Sequence, residues 1–201
     1  MLKRGKQNMF LKNKYKQTYY GKINKKILDK AKIIKLLICD IDGVMTNGLI
    51  YLDEKGKETN AFYARDGYGI KILLSFSIKV AVITGRNTKL IEDRCKILGI
   101  KYIYQGQSNK IKALKDLIKK TNISYNKIAY IGDDIIDWPV MNLVGLSVAV
   151  SNAHPFILKK AQYITNNKGG KGAVREICDL ILIAKNKINY NKFNYKKNNL
   201  I

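Results

Sequence analysis

Residues 33–43 read IIKLLICDIDG, a continuous apolar run that ends in two aspartates one residue apart. A run with no polar alternation is typical of a strand that is buried on both faces of a parallel sheet. Asp40 follows that strand directly, and Asp42 comes two residues later, so both carboxylates can project to the same side. Open parallel sheets bind their ligands outside the carboxyl ends of the strands, and we therefore expect function at this edge.

Strand-like runs alternate with amphipathic helical patterns along the rest of the chain. Strands are predicted at 79–84, 101–105, 127–133 and 146–150, and helices at about 67–77, 87–99, 108–122, 138–144 and 172–184. Residues 48–63 have the pattern of two short strands joined by a turn, a β-hairpin. This order predicts an α/β fold, with a Rossmann-like, mostly parallel sheet and helices on both faces.

The length and composition predict one domain with basic extensions. The chain has 201 residues, 46% of them hydrophobic and 26% charged, which is ordinary globular usage. Residues 1–32 lack clear periodicity and predict a loose basic arm, with a short helix possible at 22–32. The predicted domain covers residues 33–184 and contains all the candidate residues for phosphate chemistry that are described below. Residues 185–201 form a basic tail.

The sequence predicts a cytoplasmic location. No apolar run approaches the roughly 18 residues that a membrane span requires, and no secretory signal pattern is visible. The three cysteines are widely spaced, without a CxxC pair, which favours reduced thiols: Cys39, Cys95 and Cys178. We expect no membrane partner.

The net charge of +23 raises the possibility of a nucleic-acid partner. However, residues 1–35 hold 12 basic residues and one acid, and residues 185–201 hold five lysines and no acid. Only five of the 38 basic residues are arginine, the residue that base-edge and phosphate readers prefer. A compositional bias towards lysine at permissive surface positions is the better explanation, and we expect no nucleic-acid partner.

Polar groups follow each central strand of the predicted sheet. Thr84 and Arg86 follow one strand, Lys110 comes shortly after the next, and the motif GDDIID at 132–137 follows a third. Several carboxylates at one edge repel one another unless a cation neutralises them. Hard oxygen ligands favour Mg²⁺. A single aspartate after one strand is more often a helix cap, but the ordered set predicts a functional site.

This set suits in-line phosphoryl transfer to a carboxylate and then to water. Asp40 is the candidate nucleophile and Asp42 the candidate general acid, then base. Thr84 and Lys110 are the candidates for holding the transferring phosphoryl oxygens. Mg²⁺ held by Asp40, Asp133 and the carbonyl of Asp42 would neutralise the nucleophile against an anionic substrate.

These motifs resemble those of the haloacid dehalogenase superfamily, in their order and their spacing: DxDG, a strand ending in threonine, a lysine and GDxxxD. Within it, four longer stretches resemble the phosphatase family that acts on 3-deoxy-D-manno-octulosonate 8-phosphate: LLICDIDGVMTNGLIY, AFYARDGYGIK, YQGQSNK and GGKGAVREICDLIL. The resemblance covers about residues 33–184. It implies release of the sugar acid for lipopolysaccharide synthesis, through an aspartyl-phosphate intermediate.

The resemblance also implies substrate contacts and an assembly. The residues that match substrate-binding positions are Asp42, Tyr63, Ala64, Arg65, Asp66, Gly67, Lys71, Arg86, Arg94 and Lys110. Tyr63 stands where that family usually has a small amide, and Asn47 where it often has an acid. A cap domain has no room between Asp42 and Thr84, so we expect a capless core with a hairpin insertion. The resembling family is tetrameric, which predicts a homotetramer whose neighbouring subunits shield the site.

Two other functions compete with this one. The first is a capless phosphatase for another small sugar-acid phosphate, such as a nonulosonate 9-phosphate. The second is a basic protein that binds nucleic acid or a partner on an inherited phosphatase fold. A binding protein has no need of Asp40 and Asp42 together, so the complete catalytic set favours an enzyme.

Overall fold

The part of the chain that this computed structural model describes, residues 14–56 and 58–188, alternates strands with helices. In chain order its strands and helices are β1 (Tyr15–Thr18), β2 (Gly21–Asn24), α1 (Lys25–Ile33), β3 (Leu36–Cys39), β4 (Tyr51–Leu52), β5 (Glu58–Thr59), α2 (Ala64–Ser75), β6 (Lys79–Ile83), α3 (Lys89–Leu98), β7 (Tyr102–Tyr104), α4 (Lys110–Thr121), β8 (Ile128–Gly132), α5 (Trp138–Met141), β9 (Leu146–Ala149), α6 (Pro155–Lys160), β10 (Tyr163–Ile164) and α7 (Ala173–Ala184). The alternation agrees with the predicted α/β class.

The central sheet has six strands in the order β10-β9-β8-β3-β6-β7, and every neighbouring pair is parallel. All four residues of β3 are buried, which requires helices on both faces because successive side chains point to opposite sides. One group of helices is formed by α7 with α1 and α2, and another by α4 with α5. None of the helices in the described residues is long and apolar enough to cross a bilayer.

The N-terminal segment differs from its prediction as a loose arm. From Tyr15 to Ile33 it forms the β1–β2 hairpin and α1, and it packs on the domain through the buried residues Ile23, Leu28 and Ala31. The Tyr20 hydroxyl donates to Asp179 Oδ2 at 2.7 Å, which ties the hairpin to α7. Lysines hide this amphipathic pattern in the sequence, because they occupy the exposed face and much of the turns. Residues 1–13 and 189–201 lie outside the described residues.

Two short elements were not predicted, and one predicted element is small. The missed strand β10 forms the edge of the sheet beyond β9, and the missed helix α6 lies between these two strands in the chain. His154 caps α6: its Nδ1 accepts the amide of Phe156 at 3.2 Å. The predicted hairpin at 48–63 exists as the antiparallel pair β4–β5, only two residues a strand.

Leu28→Ala tests whether α1 belongs to the folded core. Leu28 is 7% exposed, so its truncation should lower the free energy of unfolding by about 2 kcal/mol or more. Lys26→Ala on the exposed face of α1 is the control and should change it by less than about 0.5 kcal/mol. Urea unfolding followed by circular dichroism measures both. Equal effects of the two substitutions would mean that α1 does not pack on the domain.

Candidate active site

The loop after β3 begins at Asp40 and is tightly folded. Its first turn is closed by the carbonyl of Ile41, which accepts the amides of Val44, Met45 and Thr46. Gly43 has φ +73°, and a Cβ there would lie 2.0 Å from Asp133 Oδ2. Only glycine allows this conformation and this approach. The glycine of the DxDG motif therefore brings the loop after β3 against the carboxylate that follows β8.

Three carboxylates converge beside this loop. Asp40, Asp133 and Asp137 each offer an oxygen within 4.8 Å of the others. Burial, reinforced by the charge of Asp137, raises the pKa of Asp40 to about 7 and that of Asp133 to about 7. A nearby cation lowers the pKa of a carboxyl group and so opposes the effect of burial. A group of three hard oxygen donors is suited to Mg²⁺. The donor set thus fits the metal that the sequence predicts.

Lys110 lies inside this cluster and is 4% exposed. Its Nζ is 2.7 Å from Asp137 Oδ1 and forms an ion pair with Asp40 Oδ1 at 3.0 Å. Burial alone would lower the pKa of Lys110, but the two carboxylates outweigh burial and raise it above its usual value. Lys110 therefore stays charged next to the candidate nucleophile.

Asp137 holds Lys110 and has little capacity left for a metal. Its Oδ1 accepts from Lys110 and, at 2.6 Å, from the Tyr130 hydroxyl, while its Oδ2 accepts the amides of Asp133 and Asp134. These four bonds occupy the acceptor positions of a carboxylate. Asp40 and Asp133 are therefore the side chains available to a metal ion. Sequence reasoning missed Tyr130, because within the apolar pattern of β8 it looks like a core residue.

Asp42 has a different partner from Asp40. Its Oδ2 accepts from Arg86 Nε at 2.7 Å, and Arg86 Nη1 also pairs with Glu58 on β5. The Asp42 carboxylate is thus held by Arg86, and it is not one of the three carboxylates that lie within 4.8 Å of one another. Glu58 was missed by the sequence analysis, since a glutamate in a hairpin turn looks like solvated surface.

Thr84 lies at the end of β6 and is 1% exposed. Its Oγ1 accepts the amide of Arg86 at 3.2 Å, and its carbonyl accepts the amide of Gln107 at 3.0 Å. The second bond draws the segment before α4 towards β6. Asn109 then caps α4 by accepting the amide of Ile111, which starts the helix at Lys110.

A second group of expected substrate residues lies at the start of α2. Asp66 is 2% exposed, and its Oδ1 accepts the amide of Arg175 at 2.7 Å, so it joins α2 to α7. Burial raises the pKa of Asp66 to about 6. Gly67 lets α3 approach, because a Cβ there would lie 2.6 Å from Arg94 Nη2. Arg94 also lies over the ring of Phe62, 5.5 Å from its centroid.

The remaining members of that group are more exposed. Ala64, Arg65 and Lys71 are exposed on α2, and the Arg65 guanidinium lies 5.9 Å from the centroid of the half-buried Tyr63 ring. A Cβ on Gly172 would be 3.6 Å from Tyr63, so this group borders the loop before α7. Asp66 and Gly67 thus have internal contacts, whereas Arg65 and Lys71 remain accessible.

The loop before α7 closes onto the loop after β3. Gly170 donates its amide to the carbonyl of Val44 at 2.9 Å, and a Cβ on Gly169 would lie 1.6 Å from the carbonyl oxygen of Gly43. Glu176, fully buried, holds this loop: it accepts the Tyr163 hydroxyl, both the amide and the side chain of Asn167, and the amide of Asn166. The sequence does not reveal this role, because Glu176 reads there as an ordinary helix residue.

Comparisons with known proteins relate this chain to haloacid dehalogenase-like phosphatases. A family model described as haloacid dehalogenase-like hydrolase matches residues 98–177. The chain is 54% identical over 171 residues, 85% of it and 91% of the relative, to the 3-deoxy-D-manno-octulosonate 8-phosphate phosphatase KdsC of Salmonella typhi.

Solved structures are also similar. The structure of 3-deoxy-D-manno-octulosonate 8-phosphate phosphatase from Yersinia pestis has 55% identity and a TM-score of 0.85, covering 86% of this chain and 94% of that one. The Moraxella catarrhalis enzyme, in complex with magnesium ion, phosphate ion and a KDO molecule, has 43% identity and a TM-score of 0.79, covering 81% and 93%.

Metal binding at the carboxylate cluster should depend on pH. Since Asp40 and Asp133 have pKa values of about 7 without metal, protons compete with Mg²⁺ below that pH. Affinity for Mg²⁺ should rise by about tenfold or more from about pH 6 to about pH 8. Calorimetry in buffers of different ionisation enthalpy measures both affinity and proton release. An affinity that is flat across this range, without proton release, would contradict the shifted pKa values.

Proposed function

This chain belongs to the 3-deoxy-D-manno-octulosonate 8-phosphate phosphatase family of haloacid dehalogenase-like hydrolases, and from that membership we propose the reaction it catalyses. It hydrolyses 3-deoxy-D-manno-octulosonate 8-phosphate to the free sugar acid and phosphate, as a Mg²⁺-dependent phosphatase in lipopolysaccharide synthesis. The observation that supports this most is the buried Asp40 carboxylate, set between the Lys110 ammonium and the Asp133 carboxylate.

In the first step Asp40 acts as the nucleophile. One of its carboxylate oxygens attacks the phosphorus, and the bond between phosphorus and the sugar's 8-oxygen breaks. Asp42 gives a proton to that leaving oxygen. Arg86 occupies Asp42 Oδ2, which leaves Oδ1 to carry the proton. The products of this step are the free sugar acid and an aspartyl-phosphate on Asp40.

The second step regenerates the enzyme. Asp42, now a carboxylate, takes a proton from water as that water attacks the phosphorus of the aspartyl-phosphate. Phosphate leaves and the Asp40 carboxylate is restored. Lys110 neutralises charge on the phosphoryl oxygens in both steps, and Asp137 holds its ammonium at 2.7 Å. Thr84 supplies a hydroxyl to the same oxygens.

Asp40, Asp133 and the carbonyl of Asp42 are the groups that would hold Mg²⁺. When bound there, the ion would neutralise negative charge shared by the nucleophile and the phosphate. The hydrogen bonds of Asp137 leave that residue as a positioning group for Lys110.

For the substrate's remaining anionic group and hydroxyls, we propose the residues at the start of α2 together with Arg86 and Arg94. Arg65 and Lys71 are accessible cations, and a guanidinium can form two parallel hydrogen bonds with a carboxylate. Asp66 and Gly67 act here by holding α2 against α7 and α3.

The division into a domain at 33–184 with basic ends also remains a proposal, extended towards the N-terminus by the packing of α1.

We further propose a cytoplasmic homotetramer in which neighbouring subunits cover the site. Between Asp42 and Thr84 the described residues form the hairpin, α2 and the sheet strand β6, which leaves no room for a cap domain there. The hairpin exposes a run of apolar side chains, Leu49, Ile50, Tyr51 and Leu52. Exposed apolar strands favour pairing with another chain. Excluding water would strengthen the electrostatic interactions of the substrate.

Asp40→Asn tests the nucleophile and the substrate together. Phosphate release from 3-deoxy-D-manno-octulosonate 8-phosphate should be selective against other sugar phosphates, abolished by EDTA, and at least about a thousandfold slower in this variant. Asp134→Asn is the matched control, because Asp134 is exposed, caps only the turn at 135–137, and asparagine caps equally well. Turnover of a different phosphate would overturn the proposed substrate. Absence of turnover with every phosphate tested would overturn the proposal that the protein is a phosphatase.

Leu52→Lys tests the proposed assembly. Leu52 is 65% exposed, and a lysine there should reduce the tetramer measured by light scattering and lower kcat/KM. Ile97→Lys is the control, since Ile97 is also 65% exposed but lies on α3, away from the hairpin. A wild-type protein that is a fully active monomer would contradict the proposal.

A further inference from the structure

A cavity of about 700 Å³ lies at the edge of the sheet opposite the candidate active site. Its wall includes Lys79, the first residue of β6, and Lys35 and Lys127, which directly precede β3 and β8. Asp40, Thr84 and Asp133 follow the opposite ends of those strands. A volume of this size is typical of small-molecule sites. The mechanism proposed above uses none of its residues.

Five lysines line this cavity: Lys35, Lys79, Lys127, Lys185 and Lys187. Three of them stand at the starts of neighbouring strands. The amide of Lys35 donates to the carbonyl of Lys127 at 2.8 Å, and the amide of Lys79 to that of Lys35 at 2.9 Å. This parallel register, which the sequence cannot reveal, puts the three residues in one row. Lys185 and Lys187 come from the end of α7.

The charge of this lysine cluster is not balanced by acids. No aspartate or glutamate is among the residues that line the cavity, and the ion pairs found among the described residues involve other lysines. The pKa of Lys185 is lowered by burial and by the neighbouring charges of Lys35 and Lys187. The ammonium groups of Lys35, Lys185 and Lys187 therefore repel one another. The Lys185 ammonium donates to the carbonyl of Lys32 at 2.7 Å, which leaves its charge unbalanced, and an anion beside the three groups would relieve their repulsion.

Four helices also end at this cavity, with their C-terminal carbonyls nearby. The residues that follow α1, α2, α4 and α7 are all in the lining: Ile34, Phe76, Asn122 and Lys185. Each helix end contributes roughly half a negative charge, about two charges altogether. The Lys79 ammonium lies 5.9 Å from the centroid of the Tyr102 ring, which is outside the lining. The other four ammonium groups outweigh the helix ends, so the cavity keeps a net positive charge of about two.

Apolar side chains occupy the space between the lysines. Phe76 and Ile118 are partly buried against the core, and Ile34, Ile78 and Ile123 are buried. The Lys187 ammonium lies 5.9 Å from the centroid of the Phe76 ring. This wall suits a ligand that combines several phosphate groups with an apolar part.

We propose that this cavity is a second ligand site, which binds a small molecule carrying a polyphosphate group, separately from the phosphatase reaction. The polyphosphate would contact the lysine cluster, and any base or other flat group would lie on the apolar wall. Inorganic triphosphate and a nucleoside triphosphate share the chemistry that the lysines recognise.

The test compares binding of inorganic triphosphate, ATP and adenosine by calorimetry, in EDTA and at fixed ionic strength. Without metal, the carboxylates of the active site repel polyanions, so binding there is suppressed. Lys35→Gln with Lys127→Gln removes two charges from the cavity. Lys112→Gln with Lys115→Gln removes two charges from the exposed face of α4, outside it, as the matched control. Circular dichroism and phosphatase activity should be unchanged in both double variants.

Triphosphate should bind at one site, and the cavity variant should weaken that binding by about tenfold or more while the control changes it less than about twofold. Tighter binding of ATP would identify a nucleotide that uses the apolar wall, and equal binding would identify the inorganic anion. The proposal is overturned if triphosphate does not bind, or if both double variants weaken its binding equally.

Discussion

The buried ion pair between Lys110 and Asp137 is the interaction on which the site depends. Three carboxylates within 4.8 Å of one another would otherwise be costly to bury. Four hydrogen bonds offset the cost of burying the Asp137 carboxylate, and one of them holds Lys110 beside Asp40. Gly132 makes this possible, because a Cβ there would lie 2.5 Å from Asp137 Oδ2. One carboxylate thus organises the site so that the other two are left for chemistry.

The loops at the carboxyl edge are held by elements from distant parts of the chain. The loop after β3 is pressed on one side by Asp133 and on the other by the loop before α7. Glu176 holds that second loop from inside α7, and Asp66 joins the N-terminal ends of α2 and α7. The catalytic loop therefore depends on the packing of α7, whose N-terminal half carries no proposed catalytic residue.

The two edges of the sheet differ in charge. At the carboxyl edge, carboxylates outnumber the buried lysine, and a divalent cation balances them. At the amino edge, five lysines face a cavity without an acid. Part of the net charge of +23, including Lys35, Lys185 and Lys187 from the basic ends, is therefore concentrated at one place in the fold. Composition alone made that charge look like dispersed surface lysine.

Sequence alone determined the class of fold and the chemistry. The apolar run before Asp40 forms a strand that is buried on both faces, as predicted. The rule that parallel strands end at one edge predicted that the polar groups after the strands lie at that edge. Local patterns of this kind need only neighbouring residues. The short N-terminal helix was expected, but the packing of the N-terminal segment on the domain, the second partner of Arg86, and the roles of Tyr130 and Glu176 needed the tertiary structure. Each depends on a contact between residues far apart in the chain, such as Glu58 with Arg86 or Lys35 with Lys127. A one-dimensional pattern carries no such contact, because only the register and packing of the folded chain bring those groups together.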